Sequence, residues 1–361
     1  MAIRVGVIGT GNMGTTHVSS FAKMPGVEVV ACYDIIRERA EHCVAKLGVQ
    51  RVAAGMDDLI DQCDAVSIAT PDGCHASMTL AALAAGKHVL SEKPLTTSPD
   101  ETRAVAAAAA AASKKGLIHM IDFTYRRSAG VQEAMRLARA GALGKIRQVQ
   151  SSYLQSWLSC QPSWSAGEDW RAPYLLWKLA TAAGSGGVLN DIGCHLLDLT
   201  TACSEDLSAI RCELRNWPKP LPGGKEVTEF EGYKLDANDT ATLELQFAGG
   251  GIGISVLSRW ATGYTNAIRL EVHGTEGAIR VDLDQSYEAI ELCLGEARHR
   301  QKWDRKYLPT APTIFERFIT SVQTGVNDQP DLLRGAQVQT YLEACHRSAR
   351  SHAWENIEAI Q

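Results

Sequence analysis

A glycine pattern near the start of the chain constrains its fold more than any other feature. Gly9, Gly11 and Gly14 follow the apolar run Ile3–Ile8, which is typical of a buried strand, and precede a helix-like stretch through Lys23. In such a strand–turn–helix unit the first glycine makes the tight turn, the second lets the backbone approach a pyrophosphate, and the third packs the helix closely on the strand. N–H groups at the helix start attract the phosphates. The residues predicted to contact a dinucleotide here are Gly9, Thr10, Gly11, Asn12 and Met13.

An acidic residue at the end of the next strand bears on which dinucleotide binds. Asp34 follows the strand Val27–Tyr33, about twenty residues beyond the glycines, where a carboxylate binds a ribose 2′-hydroxyl and repels the 2′-phosphate of NADP. NAD is therefore favoured as the cofactor, and the neighbouring Ile35 is assigned to the same site. Arg37 leaves NADP open, because its guanidinium either reaches a 2′-phosphate or stays solvated on the second helix.

Composition restricts the class of protein. With 361 residues, 45% hydrophobic and 21% charged, the chain is long enough for two domains with their own cores. A net charge of −5 without a basic block argues against nucleic acid or an anionic membrane as a partner. No charged leader precedes the first strand and no apolar run reaches membrane-spanning length, so we expect a cytoplasmic protein. The 10 cysteines are scattered singly, which predicts neither a metal site nor a disulfide framework.

Strands and helices alternate along the first third of the chain, which predicts the doubly wound parallel sheet of an α/β domain. Helical patterns cover residues 37–47 and 77–85, and Ser98 with Pro99 starts an alanine-rich helix. Leu117–Ile121 is interpreted as a sixth strand. We therefore place a dinucleotide-binding Rossmann domain at residues 1–121.

Beyond Asp122 the pattern changes, because strands follow strands with turn residues between them. This predicts a second, α+β domain at residues 122–361, with a large, mainly antiparallel open sheet. Helical patterns return at 314–322 and 333–348, and these last helices are free to pack back on the first domain. The strands predicted in this domain are 146–153, 241–247, 251–257, 267–273 and 278–283.

Two groups of residues point to redox chemistry on an alcohol. Lys93 directly follows a short apolar strand, one Rossmann half beyond the glycines, where a lysine can reach a nicotinamide and the hydroxyl being oxidised. Asp191 and His195 are four residues apart, and if a helix begins there the carboxylate can orient the imidazole as a general base. The same pair also fits a helix cap with a core histidine, and it lacks the third ligand of a metal site. We expect all three residues to converge on one pocket.

A set of motifs spread over nearly the whole chain resembles one family. The motifs are Gly9–Gly14, Thr70-Pro71-Asp72 with His75, Glu92-Lys93-Pro94, Phe123-Thr124-Tyr125-Arg126, Gly141–Gly144, Trp170-Arg171, Asp191-x-Gly193-x-His195, and the closing Phe315, Phe318, Ala336 and Ser348. Their order and spacing resemble the Gfo/Idh/MocA oxidoreductases, which include glucose-fructose oxidoreductase and inositol dehydrogenase. Asp72 replaces a more usual asparagine and Ala129 stands near a frequent proline, but neither departure removes a catalytic group.

The resemblance implies roles for individual residues. Lys93 matches the active-site lysine, its bond to Pro94 is often cis in relatives, and Asp191 with His195 matches the catalytic dyad. In the expected reaction His195 takes the hydroxyl proton as hydride leaves for the nicotinamide, while Lys93 donates a hydrogen bond to the alkoxide. Because an oxidised nicotinamide favours proton loss from a nearby lysine, Lys93 as the base stays open. The implied cofactor site further includes Thr70, Pro71, His75, Glu92, Lys93 and Arg126.

The substrate site is less clearly marked. Four of the 8 tryptophans fall in one short stretch with hydrogen-bonding neighbours, which suits a sugar ring or cyclic polyol but also core packing or a subunit interface. These are Trp157, Trp164, Trp170 and Trp177, with Gln155, Gln161 and Arg171. The segment Tyr153–Trp157 resembles relatives acting on inositols and on pyranoses such as levoglucosan. We therefore predict an NAD-dependent dehydrogenase of an unphosphorylated sugar or cyclic polyol, contacted by Lys93, Gln155, Trp157, Trp170, Arg171, Asp191 and His195.

Two other functions stay open. An NAD-dependent glycosidase of the same fold would oxidise its sugar only transiently, so net NADH production separates it from a dehydrogenase. A non-catalytic NAD(P) sensor needs binding without proton transfer, and the retention of Lys93, Asp191 and His195 argues against it. Because the family's large sheet usually buries one face against another subunit, we expect a homo-oligomer, a dimer or a tetramer.

Overall fold

The computed structural model describes residues 2–160 and 169–360, which divide into two compact units. Unit 1 holds the described residues of Met1–Thr124, Pro312–Thr340 and Ala359–Gln361, and unit 2 those of Tyr125–Ala311 and Tyr341–Glu358. No helix among the described residues has both the length and the apolar character needed to cross a membrane.

The elements are numbered along the chain. The helices are α1 (Asn12–Phe21), α2 (Arg37–Leu47), α3 (Met56–Gln62), α4 (His75–Ala84), α5 (Pro99–Lys114), α6 (Ala129–Arg139), α7 (Pro173–Leu176), α8 (Cys194–Ala202), α9 (Glu296–His299), α10 (Ile314–Thr324) and α11 (Leu332–Ser351). The strands are β1 (Ile3–Ile8), β2 (Val27–Tyr33), β3 (Ala65–Ile68), β4 (His88–Ser91), β5 (His119–Ile121), β6 (Ile146–Leu154), β7 (Leu207–Arg215), β8 (Lys219–Pro220), β9 (Glu226–Val227), β10 (Glu229–Phe230), β11 (Tyr233–Lys234), β12 (Thr240–Phe247), β13 (Ile252–Ser258), β14 (Ala267–Gly274), β15 (Gly277–Asp282), β16 (Ala289–Leu294), β17 (Asp304–Tyr307) and β18 (Glu355–Asn356).

Unit 1 contains the predicted doubly wound sheet. Its strands are all parallel, in the order β2-β1-β3-β4-β5. The strand at 119–121 is the fifth of this sheet, so its prediction as a sixth was wrong; between β2 and β3 the chain forms only a single bridge, from Cys32 to Val52. Residues 5–8 of β1 are all buried, as a continuous apolar run predicts for a parallel sheet. β1 lies between β2 and β3, the arrangement that creates a ligand crevice at the carboxyl ends of the strands.

Local signals explain two helices of unit 1. The Ser98 hydroxyl accepts the Glu101 N–H at 3.3 Å and Pro99 occupies the first turn, so the alanine-rich run is helix α5. Helix α10 starts with a capping box formed by Thr313 and Glu316. Phe315 of α10 then packs edge-to-face on Phe21 of α1, with ring centroids 5.3 Å apart, so α10 completes the core of unit 1.

Unit 2 contains the predicted large open sheet. Its nine strands follow the order β17-β16-β15-β14-β6-β13-β12-β7-β18, and every neighbouring pair is antiparallel except β6 and β13. In β12 the alternate residues Ala241, Leu243 and Leu245 are buried whereas Thr242 and Glu244 are not, as expected for a sheet with one covered face.

The segment before α8 differs from the expected helix start. Leu189–Gly193 form a π-helical turn that leads directly into α8. A π turn holds more residues per turn than an α-helix, so the α-helical spacing assumed for Asp191 and His195 was wrong. A Cβ on Gly193 would lie 3.0 Å from Leu257 Cδ1, which explains why a glycine stands between the two residues.

Candidate active site

The glycine turn of unit 1 has the shape that a pyrophosphate needs. Gly9 has a φ of +87°, and a Cβ on Gly9 or Gly14 would collide with a backbone carbonyl. By contrast, no described atom lies within 4 Å of a Cβ built on Gly11, which leaves open space beside the start of α1. Helix α1 has no side-chain cap and no acidic residue in its first turn. Its N-terminus therefore fits a bound anion.

Asp34 lies at the carboxyl end of β2 and is tied to this turn. Its Oδ2 accepts the N–H of Thr10 at 2.8 Å and the Thr10 hydroxyl at 3.1 Å, and its Oδ1 accepts the N–H of Ile36 at 2.9 Å. These bonds fix the carboxylate while leaving acceptor capacity for a ribose diol. Ile35 is 86% exposed, so its side chain is accessible to a ligand. Arg37, which left NADP open, pairs with Glu41 on its own helix at 2.8 Å.

His75 was expected to contact the cofactor, and the structure shows its ring between two carbonyl groups. Its ring is buried, with Nδ1 2.7 Å from the Pro94 carbonyl oxygen and Nε2 2.7 Å from the Thr70 carbonyl oxygen. Both ring nitrogens are thus engaged within unit 1. We therefore propose that His75 supports the loops at Thr70 and Pro94, while its contact with the cofactor stays a prediction.

Lys93 follows β4 in a tightly held tripeptide. The Lys93 N–H donates to Glu92 Oε2 at 3.0 Å, and Glu92 Oε1 lies 3.2 Å from Nε2 of the buried His17. The Lys93–Pro94 peptide is cis, as the resemblance implied. Lys93 itself is half-buried. Lys93 lies in unit 1, whereas Asp191 and His195 lie in unit 2.

In unit 2 the Asp191 carboxylate is held by two cations. Its Oδ2 lies 3.0 Å from Lys178 Nζ and 2.9 Å from Arg259 Nη2. The Arg259 guanidinium is fully buried, stacks 5.0 Å from the centre of the Trp157 ring, and donates through Nη1 to the Lys178 carbonyl at 3.1 Å. Two nearby positive charges favour the ionised carboxylate. Lys178 and Arg259 were not predicted from the sequence; the position of Arg259 directly after strand β13 was the one available signal.

The imidazole of His195 lies in the first turn of α8, among aromatic and polar groups. The Tyr125 ring meets it edge-on, with centroids 4.9 Å apart. The Tyr125 hydroxyl shares a hydrogen bond with the Tyr153 hydroxyl and accepts from Asn266 Nδ2 at 2.7 Å. Burial raises the pKa of Tyr153 well above its ordinary value, so this network stays uncharged. The sequence predicted neither Tyr125 beside His195 nor Asn266 beside the Tyr125 hydroxyl.

The residues predicted to contact the substrate differ in their burial and in their partners. Trp170 is buried edge-to-face against Phe230 at 5.2 Å, and its Nε1 donates to the Pro220 carbonyl at 3.1 Å, so the core-packing alternative applies to it. Gln155 accepts from Trp157 Nε1 at 3.0 Å and donates to Asn266 Oδ1 at 2.8 Å. These two bonds orient the side chains of Gln155 and Trp157. Arg171 pairs with Asp169 at 2.8 Å.

Two further members of the tryptophan stretch, Gln161 and Trp164, lie outside the described residues. Trp177 is partly exposed, and its ring centre is 5.6 Å from Lys178 Nζ. Among the described tryptophans of this stretch, Trp177 is therefore the one best placed to offer an aromatic face next to the Asp191 cluster.

Arg126, expected at the nicotinamide end, is buried in an ion pair. Its Nε and Nη2 each lie 2.6 Å from an oxygen of Asp198, and its Nη1 lies 3.1 Å from Met135 Sδ. Both charged side chains are inaccessible to solvent. Because the guanidinium pairs with these partners within unit 2, we propose that Arg126 supports α8, while its contact with the cofactor stays a prediction.

Two family models match this chain. Residues 3–120 match the oxidoreductase family with an NAD-binding Rossmann fold, and residues 131–280 match the GFO/IDH/MocA C-terminal domain. The chain belongs to the Gfo/Idh/MocA oxidoreductases. The resemblance recognised in its motifs is thereby confirmed, and this member of the family is an NAD-dependent oxidoreductase.

Relatives of this Gfo/Idh/MocA protein include sugar and polyol dehydrogenases. Levoglucosan dehydrogenase of Pseudarthrobacter phenanthrenivorans is 28% identical, over 99% of both chains. The scyllo-inositol 2-dehydrogenase (NAD(+)) of Bacillus subtilis is 27% identical, over 77% of this chain and 73% of the relative. A levoglucosan dehydrogenase structure in complex with NADH and levoglucosan, 25% identical, matches 99% of this chain and 100% of that chain with a TM-score of 0.83.

Proposed function

We propose that this protein oxidises a secondary hydroxyl of an unphosphorylated sugar or cyclic polyol, with NAD as hydride acceptor. The observation that carries the proposal is the Asp191 carboxylate, held between Lys178 and Arg259 two residues before Gly193 and four before His195. The full-length similarity to a levoglucosan dehydrogenase supports the substrate class, which includes pyranoses and anhydrosugars.

The cofactor contacts follow from unit 1. The open backbone at Gly11 and the uncapped start of α1 receive the pyrophosphate, with Thr10, Asn12 and Met13 alongside. Asp34 accepts the ribose hydroxyls, and Ile35 covers the adjoining base. Thr70, Pro71 and the Glu92–Lys93 segment line the route toward the nicotinamide.

The proton-handling roles follow from charge and hydrogen bonding. Asp191 stays ionised beside its two cations, so it accepts a hydrogen bond and does not act as the base. His195 takes the hydroxyl proton, and Lys93 donates a hydrogen bond to the same oxygen as it gains negative charge. NAD supplies the hydride acceptor when bound. Because both proposed roles serve one reaction step, we expect strongly non-additive losses of activity when Lys93 and His195 are replaced together.

The substrate class follows from the polar groups around Asp191. Lys178 and Arg259 are both paired with this carboxylate, which favours a neutral polyhydroxy compound over a phosphate ester that needs its own cations. Trp177 beside Lys178 offers an apolar ring face. Gln155, held by the Trp157 Nε1–H, and Arg171 contribute further polar groups.

The test is a panel of inositols, aldoses and anhydrosugars, assayed with NAD and with NADP by nicotinamide absorbance. We expect net NADH formation with at least one unphosphorylated member, and a lower kcat by about 100-fold or more in His195→Ala with an unchanged Kd for NADH. Glycoside cleavage without net NADH would instead identify a glycosidase. Full activity of His195→Ala would overturn the role given to His195.

Two further properties belong to the proposal. The 10 cysteines are all free thiols, which suits a reducing cytoplasm. Ile252 and Ile254 are exposed on neighbouring outward positions of β13, which suits burial against a second copy. Cell fractionation tests the location, and sedimentation equilibrium tests the homo-oligomer.

A further inference from the structure

A buried group of ionisable side chains lies beside Lys93 in unit 1 and has no part in the proton transfer proposed above. The Nε2 atom of His17 lies 3.2 Å from Glu92 Oε1 and 3.5 Å from Asp122 Oδ2, and its Nδ1 lies 2.8 Å from the Ser67 hydroxyl. The exposed fractions are 0% for His17, 5% for Glu92 and 2% for Asp122. We call these three residues the buried triad. Charges at this depth persist only when they are paired.

The pKa values of all three residues of the buried triad are shifted. Burial alone lowers the pKa of His17, but its hydrogen bonds to Asp122 and Glu92 outweigh burial and raise that pKa to about 9. Burial raises the pKa of Glu92, yet the hydrogen bond and charge of His17 lower it overall. For Asp122, burial and the charge of Glu92 raise the pKa. His17 is therefore protonated and Glu92 ionised at neutral pH, while Asp122 holds its proton more readily than an ordinary aspartic acid. The Oδ1 atom of Asp122 has no hydrogen-bond partner among the described residues.

The buried triad is connected to Lys93 through Glu92. The second carboxylate oxygen of Glu92 accepts the Lys93 N–H at 3.0 Å. The charge of Lys93 also acts electrostatically on both Glu92 and Asp122. On the other side of Lys93, the Pro94 carbonyl is held by His75 of α4. The lysine is therefore fixed at both neighbouring residues.

Apart from Lys93 and His75, the described groups that contact the triad side chains are uncharged. The Phe315 ring of α10 meets the His17 ring edge-on at 4.8 Å, and Ser67 of β3 contributes only a hydroxyl. The ionisable groups that act on Glu92 are thus His17, Asp122, Lys93 and His75. Among them Glu92 carries the negative charge next to the lysine.

We propose that His17, Glu92 and Asp122 are positioning residues for Lys93: the His17–Glu92 ion pair fixes the lysine segment, and the charge of Glu92 sets how readily the lysine ammonium releases its proton. Asp122 is the second carboxyl group within 3.5 Å of the His17 imidazole. The inference rests on the proposed function only in giving Lys93 a proton-donating role. Removing the charge of Glu92, whose carboxylate accepts the Lys93 N–H, makes the ammonium a stronger acid, whereas an amide at Asp122 is expected to act more weakly.

The test measures Lys93 directly, without substrate. Lysines of the full chain are reductively methylated with ¹³C-formaldehyde, and the Lys93 resonance, identified by its loss in Lys93→Arg, is titrated by NMR. We expect Glu92→Gln to lower the pKa of Lys93 by about one unit or more, and Asp122→Asn to shift it by less than about 0.3 units. Lys87, also in unit 1, serves as the internal reference, and circular dichroism checks the fold of each variant.

Several outcomes overturn the proposal. A folded Glu92→Gln with an unshifted Lys93 removes the electrostatic link, and an equal shift in Asp122→Asn shows that Asp122 is ionised. The three possible ligand atoms of the triad lie within 4.8 Å of one another. If elemental analysis after dialysis finds a divalent cation, the triad is a metal site and the proposed ion pair is wrong. The Lys93 pKa and the metal content can be measured even if the protein has no dehydrogenase activity. Failure of the proposed function can therefore be distinguished from failure of this inference.

The unsubstituted protein provides a second test if Glu92→Gln does not fold. With ¹⁵N-labelled histidine, the His17 ring is expected to show two protonated nitrogens at pH 7.5 and to lose the second proton only near pH 9. A neutral His17 ring at pH 7.5 overturns the proposal, because Glu92 would then lack its counter-charge.

Discussion

The Oδ2 atom of Asp191 lies 2.9 Å from the Nη2 atom of Arg259, and this pair joins a π-helical turn to the end of strand β13. Because the guanidinium is fully buried, protonating the carboxylate would leave it without its counter-charge. This supports the proposal that the two residues of the dyad have unequal roles, with Asp191 keeping its charge while His195 accepts the proton.

Lys178 supplies the second cation on Asp191, and replacing it tests the cluster. We expect Lys178→Met to lower kcat/KM for the sugar or polyol about tenfold, because a hydrogen bond to a charged group contributes about 1.5–3 kcal/mol. The Kd for NADH stays unchanged, and Lys178→Arg recovers most of the activity. Steady-state kinetics and fluorescence titration measure both. Lys225→Met, at an exposed position, is the matched control, and a loss of equal size in it would contradict the prediction.

Replacing Arg126 tests whether this residue supports the fold or binds the cofactor. Arg126→Met leaves Asp198 buried without its partner, so the free energy of unfolding is expected to fall by about 3–5 kcal/mol. The Kd for NADH of the folded variant is expected to stay within about twofold. Urea denaturation and calorimetry provide the measurements, with Arg136→Met on the following helix α6 as the exposed control. A stable variant with weakened NADH binding would restore the cofactor role.

The buried triad predicts how stability depends on pH. The pKa of His17 is raised from 6.5 to about 9 in the folded chain. A raised folded-state pKa stabilises the fold fully below pH 6.5, and this contribution is lost as pH rises through about 9. Urea unfolding without cofactor should therefore show a decline between pH 6.5 and 9 that is shallower in His17→Gln. The exposed His42→Gln should keep the original slope; identical slopes in all three proteins would refute the charge state.

The proposed role of Asp34 in the choice between NAD and NADP is tested by removing its charge. Asp34→Asn keeps the shape of the side chain but removes the charge that strengthens its hydrogen bonds and repels a 2′-phosphate. We expect the Kd for NAD to rise about tenfold and the preference for NAD over NADP to shrink. Arg37→Gln is expected to change neither Kd, because Arg37 pairs with Glu41. Weaker NADP binding in Arg37→Gln would show instead that this arginine reaches the phosphate.

Features encoded in neighbouring residues could be predicted from the sequence. The glycine turn, the acidic end of β2 and the capped start of α5 each depend on a few consecutive residues, and the structure shows the predicted strands and helices around them. The mainly antiparallel sheet could also be predicted from the sequence, because its strands alternate between buried and exposed positions.

Features that depend on distant pairing could not be predicted. Arg259 is 68 residues from Asp191 in the chain and Lys178 is 13, so their contacts depend on the folding of the sheet and on the loop before the π turn. Arg126 and His75 carry polar groups that suit a ligand equally well, and only their partners, Asp198 for one and two carbonyl oxygens for the other, support the proposed structural roles. The π turn was missed because its apolar spacing resembles that of an α-helix over so short a segment.

The π turn at Leu189–Gly193 makes the active site sensitive to chain length. Deleting one residue within it would restore an α-helix and rotate the preceding residues by about 100° relative to α8. Asp191 would leave Arg259 although no side chain of the site had been exchanged. A relative could therefore lose its activity through a single-residue gap while keeping every residue type of the motif, so alignments of this family should be judged on gap placement here as well as on residue identity.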